Sequence, residues 1–460
     1  MENQEQPKNF FQSATAKIIM VGLLTLVLLI PLEYVKSLIT ERAERQKDVV
    51  REINQKWGSN VYLYGPVLKI PYTINEETST IDKATRKVTI TTTSHTKYAY
   101  FFPDVLNGKI NVETEKKHRN NYESVLFTSK MNFDGNYSIP NFSDKNIKDE
   151  NIQWDKATVI VATNNIKGIK GEVTMTINGE RYVFEPTNLG FESNEIAPRF
   201  KSKQTDNAAL TTKNFNAKKV FSGKAMDFNF DISYKGSQQV SIVPIGKKTT
   251  ATMTSNWYSP GFQGNFIPEN KTITKDSFTA KWKISALNRP FVQHYFETLP
   301  NLNEYSFDVD FVIPVSEYQQ SERATKYGFL VIGLTFLVFF LIQSISKINI
   351  HIFQYSMIGL ALIMFYTLLI SITEHSSFKL GYGSAGAAVV VMIGLYSISI
   401  LKNKKFPIFI TIALSALYTF IYVIIQLENY ALLVGSIGLF LILGAVMYVS
   451  RKIDWSTTNG

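Results

Sequence analysis

Residues 315–336, "VSEYQQSERATKYGFLVIGLTF", are polar and charged for a dozen positions and then abruptly apolar. Ser316 and Gln319 have the spacing of a capping box, and Glu322 precedes Lys326 by four, the spacing of a favourable pair on one helix face. The stretch predicts a helix that begins in water and runs into a membrane without a break. It also divides the chain. Residues 43–315 are mixed and polar, rich in Thr, Asn and Lys, whereas residues 327–450 are almost continuously apolar.

About 17–25 apolar residues cross a bilayer. Ile18–Leu38 meets that length, lacks a small-x-small cleavage site and is followed by charged helix-forming sequence, so it predicts an uncleaved anchor. Five further runs qualify: Tyr327–Ile345, Ile352–Ile372, Leu380–Leu401, Pro407–Leu427 and Ala431–Ser450. Lysine and arginine collect on the cytoplasmic ends of spans. With both termini cytoplasmic, the inner loops and tail hold Lys347, Lys402, Lys404, Lys405, Arg451 and Lys452, against Arg323, Lys326 and Lys379 outside. The flank of the first span disagrees, with Lys36, Arg42, Arg45, Lys47 and Arg51 outside. Long domains translocate largely regardless of charge, so the five-span bundle decides the orientation.

The fold class that follows is membrane α-helical, one N-terminal anchor plus a five-span C-terminal bundle, with a large β-rich, antiparallel, sandwich-like extracytoplasmic domain. The expected division is a cytoplasmic N-terminus (1–16), the anchor and its helical extension (17–57), a periplasmic β-rich domain (58–315), a coupling helix with the bundle (316–450) and a cytoplasmic tail (451–460). Within the β-rich part, Met226, Phe228, Phe230, Ile232 and Tyr234 alternate with polar residues, as do Tyr305, Phe307, Val309 and Phe311. Asn178-Gly179 and Asp134-Gly135 both read as hairpin turns.

Net charge is +10, but the basic residues are scattered, which argues for a solvated surface and against nucleic acid as a partner. No cysteine is present, which excludes disulfides, thiol nucleophiles and thiolate metal sites. None of His95, His118, His294, His351 and His375 pairs with another at metal-ligand spacing, and no cofactor motif is found. The last five spans carry no ionisable side chain in their cores, which speaks against a coupled transporter; Gln343, Gln354 and Gln426 lie near span ends.

Three groups of residues invite a functional reading beside a structural one. Tyr318, Gln319, Gln320, Ser321, Glu322 and Arg323 would couple the outer body to the bundle, or simply start a well-capped helix. Glu374 and His375, an interfacial polar pair at the outer end of the third span, would sense pH or cap that helix. Gly383, Gly386, Ala387, Gly435, Gly438 and Gly444 would let helices approach closely, within the bundle or against an envelope or inner-membrane protein partner.

Six blocks carry a resemblance: "WGSNVYLYGPVLKIPY" (57–72), "SNWYSPGFQGNFIP" (255–268), "NRPFVQHYF" (288–296), "YQQSERATKYGFL" (318–330), "SITEH" (371–375) and "LGAVMYVSRKIDW" (443–455). Together, and in this order, they resemble the CreD family of bacterial inner-membrane proteins. One departure is visible: Asn164-Asn165 follows the strand "ATVIVA" where the resemblance leads one to expect Ser-Asp. The resemblance implies a place in the inner membrane and a link to cell-envelope integrity, two-component regulation, β-lactam response and colicin tolerance, without implying a biochemical activity. The leading expectation is a non-enzymatic protein acting in the envelope and its stress response through its periplasmic domain. The alternatives are a transporter or channel-like component for an envelope or lipid intermediate, and an enzyme on an envelope polymer.

Overall fold

The computed structural model describes residues 14–81, 88–119, 122–188, 208–311, 313, 317–346, 348–401, 405–427 and 430–451. Ser316 of the expected capping box, Lys347, Lys402, Lys404 and Lys452, and most of the expected N-terminal and C-terminal tails lie outside the described residues. The chain forms two compact units, Val49–Pro314 on the one hand and Met1–Asp48 with Val315–Gly460 on the other.

The first unit is β-rich. Its strands are β1 (Val61–Ile81), β2 (Val88–Phe101), β3 (Val105–Arg119), β4 (Tyr122–Tyr137), β5 (Thr158–Thr163), β6 (Thr174–Ile177), β7 (Glu180–Asn188), β8 (Ala208–Thr212), β9 (Met226–Ile242), β10 (Lys248–Ser255), β11 (Gly261–Gly264), β12 (Asn270–Ile273), β13 (Phe278–Ser285), β14 (His294–Phe296) and β15 (Phe307–Phe311). Hydrogen-bonded neighbours follow the order β12, β13, β10, β3, β4, β9, β6, β7, β8, β5, β1, β2, β14, while β15 joins β9 to β11. Pairing is antiparallel except between β1 and β9 and between β3 and β10. The period of two in β9 buries Met226, Phe228, Phe230, Ile232 and Tyr234 and leaves Asp227 and Asp231 exposed. Rings close the core between layers: Trp282 stacks on Phe307 at 4.8 Å, and Phe127 of β4 meets Phe311 of β15 at 5.2 Å.

Asn178-Gly179 is the turn between β6 and β7, with φ of 46° and 89° at its two residues, the left-handed region that such a tight hairpin requires. Asp134-Gly135 is not a turn. It lies inside β4, where a Cβ on Gly135 would come within 2.0 Å of the Val105 carbonyl oxygen of β3. The glycine serves close strand approach there, which a sequence signal for turns cannot distinguish.

The second unit is helical. α1 (Ala14–Trp57) has 44 residues and is divided at Asp48/Val49, so its last turns belong to the β-rich unit. A five-residue α2 (Ala217–Phe221) decorates the sheet. The others are α3 (Glu317–Lys326), α4 (Gly328–Ser346), α5 (Ile352–Thr373), α6 (Phe378–Ile400), α7 (Lys405–Gln426) and α8 (Ala431–Ser450). Among the described residues six helices, α1 and α4 to α8, are long and apolar enough to cross a membrane. His351 and Gln354 form a capping box at the start of α5, and Ser377 caps α6.

Candidate functional site

α1 is fastened to α5 at both ends. Lys17 Nζ donates to Asn349 Oδ1 at 2.8 Å, and Arg42 Nε lies 3.4 Å from Glu374 Oε1. The spacing matches: 42 minus 17 and 374 minus 349 are both 25 positions. At 1.5 Å per residue this is about 37 Å of helix, slightly more than a bilayer's hydrocarbon core. The two helices therefore run parallel, with polar pins at either end and Leu28 seated midway against Gly359. A Cβ on Gly359 would come within 2.2 Å of Leu28 Cδ1. Glu374 follows the last turn of α5, where a helix dipole disfavours a carboxylate, and Arg42 offsets that placement. His375 is exposed in the following turn, and the structure does not pair its ring with Glu374.

In α3, Tyr318 and Ser321 are buried, Gln320, Glu322 and Arg323 are half-buried and Gln319 is exposed. The helix packs against α5, α6 and α7, and so belongs to the bundle. The expected pair forms, with Lys326 Nζ 3.3 Å from Glu322 Oε1. Of the small residues, Gly386 faces Phe365, while Gly435 and Gly438 face Ile424 and Phe420 of α7. Gly383 and Gly444 face open space and Ala387 is exposed. Gly438 makes the tightest of these approaches, and further close helix contacts use glycines outside the six: Gly328 against Leu32, Gly359 against Leu28, Gly381 against Thr373 and Gly394 against Thr411. Gly328 and Gly359 stand alone rather than in a stripe, so a search for spaced small residues misses them. Gln343 accepts from Tyr355 Oη at 2.9 Å, a buried bond between α4 and α5.

The β-rich unit carries the other concentration of polar groups. Register places Gln263, Asp308, Ser241 and Tyr62 in one row across β11, β15, β9 and β1. Residues opposite each other in a ladder point to the same face, so this row is a polar layer on one side of the sheet. Asp310 is next along the same face, accepting from Gln239 Nε2 at 2.7 Å. Burial raises the Asp310 carboxyl above its usual range, opposed in part by the Gln239 hydrogen bond and assisted more weakly by the neighbouring Asp308. Burial and Asp308 also raise the Tyr62 phenol. On the next row, Asn164 Oδ1 accepts from the Tyr62 N–H at 2.9 Å. Its neighbour Asn165 donates through Nδ2 to Ser59 O (3.1 Å) and Lys235 O (2.9 Å) and accepts from the Gly168 N–H.

A second buried group is Arg289, 5% exposed, whose guanidinium donates to the carbonyl oxygens of Ile245, Gly246 and Phe291 and lies 4.0 Å above the Phe291 ring. Burial lowers its pKa to about 10, still cationic at neutral pH. Gln293 accepts from Arg289 and bonds Pro103 O at 2.7 Å, so "NRPFVQ" works as a latch on the chain reversal before β10. The last turns of α1 are locked into this same unit: Ser124 Oγ donates to Asn54 Oδ1 at 2.7 Å, Arg119 pairs with Glu52 at 2.8 Å, and Trp57 Nε1 reaches Phe127 O at 3.4 Å. Among the described residues no group of three or more His, Cys, Asp or Glu could hold a metal ion.

The family model described as "Inner membrane protein CreD" matches residues 13–456, nearly the whole chain. The chain belongs to the CreD family. A curated relative, "Inner membrane protein CreD" of Escherichia coli (strain K12), is 27% identical over 441 residues, which cover 94% of this chain and 91% of the relative. With the six apolar helices, this makes the chain a member of an inner-membrane protein family. Two of the three blocks that carried the CreD resemblance within the β-rich unit meet in space, while 288–296 forms the separate group around Arg289. Residues 57–72 supply Tyr62, and residues 255–268 supply Gln263 with Gly261 and Gly264, all at the row around Asp308. The Asn164-Asn165 departure sits at the edge of that row, where Asn165 acts as a donor to two carbonyls, a role no carboxylate can take.

Proposed function

We propose that this CreD-family protein acts in cell-envelope integrity and the envelope stress response, without catalysis, through a β-rich unit displayed on the periplasmic side, both termini being cytoplasmic. The observation that carries the reading is α1. One helix, pinned to α5 at both ends of a bilayer-length segment, continues without a Gly or Pro hinge between Lys36 and Trp57 and ends locked into the sheet through Asn54, Glu52 and Trp57. On this reading such a connection would transmit orientation, where a Gly/Ser-rich tether would lose it. Contacts with an envelope component would thus bias helix packing in the bilayer. Protein partners in the envelope or the inner membrane fit this role; α3, packed on α5 to α7, is the second connection through which the bias would pass.

The test is complementation of envelope-stress sensitivity in a deletion strain. Replacing Ala43–Lys47 by a Gly-Ser stretch should abolish rescue while the protein still inserts, and full rescue at normal abundance would end the transmission reading. Sidedness is tested separately by reporter fusions. Fusions at Asn349, Asn403 and Gly460 should report cytoplasm and one at Ser376 periplasm; a periplasmic signal from Gly460 would overturn the six-span topology.

A further inference from the structure

The polar face around Asp308 holds more buried oxygen atoms than it has hydrogen-bond partners. Asp308 is 5% exposed and Tyr62 2% exposed, yet Asp308 Oδ1 and Tyr62 Oη are both without a partner. The segment that leads into β15 covers this face, held by Tyr64 Oη donating to Pro300 O at 3.2 Å. It carries Asn303, whose amide oxygen and nitrogen are likewise buried and unpartnered. β11 borders the other side, and at Gly264 there is no room for a side chain. A Cβ on Gly264, which has φ of 82°, would lie 3.1 Å from the Asp308 carboxyl carbon and 2.4 Å from Ser306 O; one on Gly261 would lie 3.4 Å from Asp310 Oδ2.

Charge decides what these oxygens would take. Asp308 and Asp310 stand two apart on one strand, about 7 Å between Cα atoms, and point to the same face. Neither forms an ion pair with Lys, Arg or His among the described residues; Gln239 supplies Asp310 with a neutral donor only. Removing a carboxylate from water without a counter-charge costs several kcal/mol. A water molecule would satisfy hydrogen bonds but leave that charge in place. Every candidate ligand atom is oxygen: two carboxylates, a phenol, an amide carbonyl and the Ser241 hydroxyl. Oxygen donors in an irregular shell suit a hard cation of flexible coordination, which is calcium rather than magnesium.

We propose that Asp308 and Asp310, completed by Tyr62 and Asn303, form a calcium-type cation site inside the β-rich unit. With two carboxylates the site is leaner in charge than a three-acid cage, so its affinity belongs with extracellular modules, at about 10⁻⁴–10⁻³ M. Occupancy ties β15 and its covering segment to β1 and would rigidify the unit. The inference rests on the site alone and holds whichever side of the membrane the unit faces.

The experiment uses the full chain purified in detergent and stripped with chelator. Terbium(III) is added and its luminescence read through tyrosine excitation, followed by competition with calcium. The expected result is a saturable signal displaced by millimolar calcium, a rise in the unfolding temperature with calcium, and loss of both in Asp308→Asn. Asn303→Asp adds a third carboxylate and should tighten calcium binding about tenfold, a gain that misfolding cannot mimic. Glu374→Gln, far along the chain in the helical unit, should bind as the wild type does. Absence of a saturable signal in the wild type, or a signal unchanged by Asp308→Asn, would overturn the site; the first outcome would mean that these oxygens are satisfied by water only.

Discussion

Asn165→Asp changes one atom and should destabilise the β-rich unit substantially. In the wild type the Asn165 amide nitrogen donates to two backbone carbonyls, Ser59 O at 3.1 Å and Lys235 O at 2.9 Å, while its oxygen accepts from the Gly168 N–H at 3.0 Å. A carboxylate keeps the last bond and loses the other two. Each lost bond is worth about 0.5–1.5 kcal/mol, and two buried carbonyls then face a negative charge, so the total is about 3 kcal/mol at neutral pH. For a unit of this size, about 2–4 °C of unfolding temperature is lost per kcal/mol, giving a fall of about 6–12 °C. The pH dependence has a fixed sign. The new carboxyl is disfavoured in its charged form, so its folded pKa is raised; the penalty is complete above that pKa and is relieved as pH falls through it. Asn164→Asp is the control, because Asn164 serves as an acceptor of the Tyr62 N–H and a carboxylate does that as well. Tryptophan-detected thermal unfolding of the full chain in detergent, near pH 7.5 and pH 5, tests both. Equal effects of the two substitutions, or an Asn165→Asp deficit that deepens at the lower pH, would refute the reasoning.

Gly359→Ala should cost about 1–3 kcal/mol by overpacking, since the new methyl would meet Leu28 Cδ1 at 2.2 Å and Phe336 Cζ at 2.9 Å; Leu28→Ala in the same chain should restore part of the loss in detergent unfolding assays. In the cation-free protein, Asp310→Asn should raise stability at neutral pH. Burial and Asp308 raise the Asp310 carboxyl, so the gain should shrink as pH falls and the wild-type group takes up its proton, which chemical denaturation in chelator would follow. A soluble fragment covering 49–314 should unfold at higher temperature than one covering 58–314, because only the former keeps the Asn54–Ser124 and Glu52–Arg119 bonds; equal midpoints would show that the last turns of α1 contribute nothing. Replacing Gln320–Arg323 by a Gly-Ser stretch should impair the bundle itself, since Ser321 is buried in α3, whereas Glu322→Ala should lose only a part-exposed pair worth about 0.2–0.5 kcal/mol, read as detergent-resistant folded fraction.

Spans and strands leave different traces in a sequence. A membrane helix needs one long apolar run, which is local information, and the five C-terminal runs read from the sequence agree with α4 to α8 to within a few residues. Strands announce themselves by alternation, as in β9 and β15, but alternation does not name the partner strand. Hence the parallel neighbours β1–β9 and β3–β10 had no sequence signal, and Asp134-Gly135 looked like a turn although it is a close strand crossing. The helix contacts were half legible for a related reason. Spacing finds rows of small residues such as Gly435 and Gly438, but a single notch such as Gly359 is recognisable only once Leu28, 331 positions earlier, is seen to fill it.

The row at Asp308 shows the limit most sharply. In "YSFDVDF" the residues Phe307, Val309 and Phe311 take the core side, so a period of two assigns Asp308 and Asp310 to solvent. That assignment is right about the face and wrong about the water. The covering segment and the two glycines of β11 arrive from elsewhere in the chain and bury the polar side as well, which no local pattern encodes. A sheet face that is polar in sequence and buried in structure must resolve its charges somehow, by protons, by counter-ions or by function. Ordinary packing would have filled the position with a Thr or Val at no electrostatic cost. That Asp308 lies beside Gly264, with its oxygen and the Tyr62 hydroxyl both unanswered, is what motivates the proposed cation site, and the terbium titration decides between it and a passive spacer.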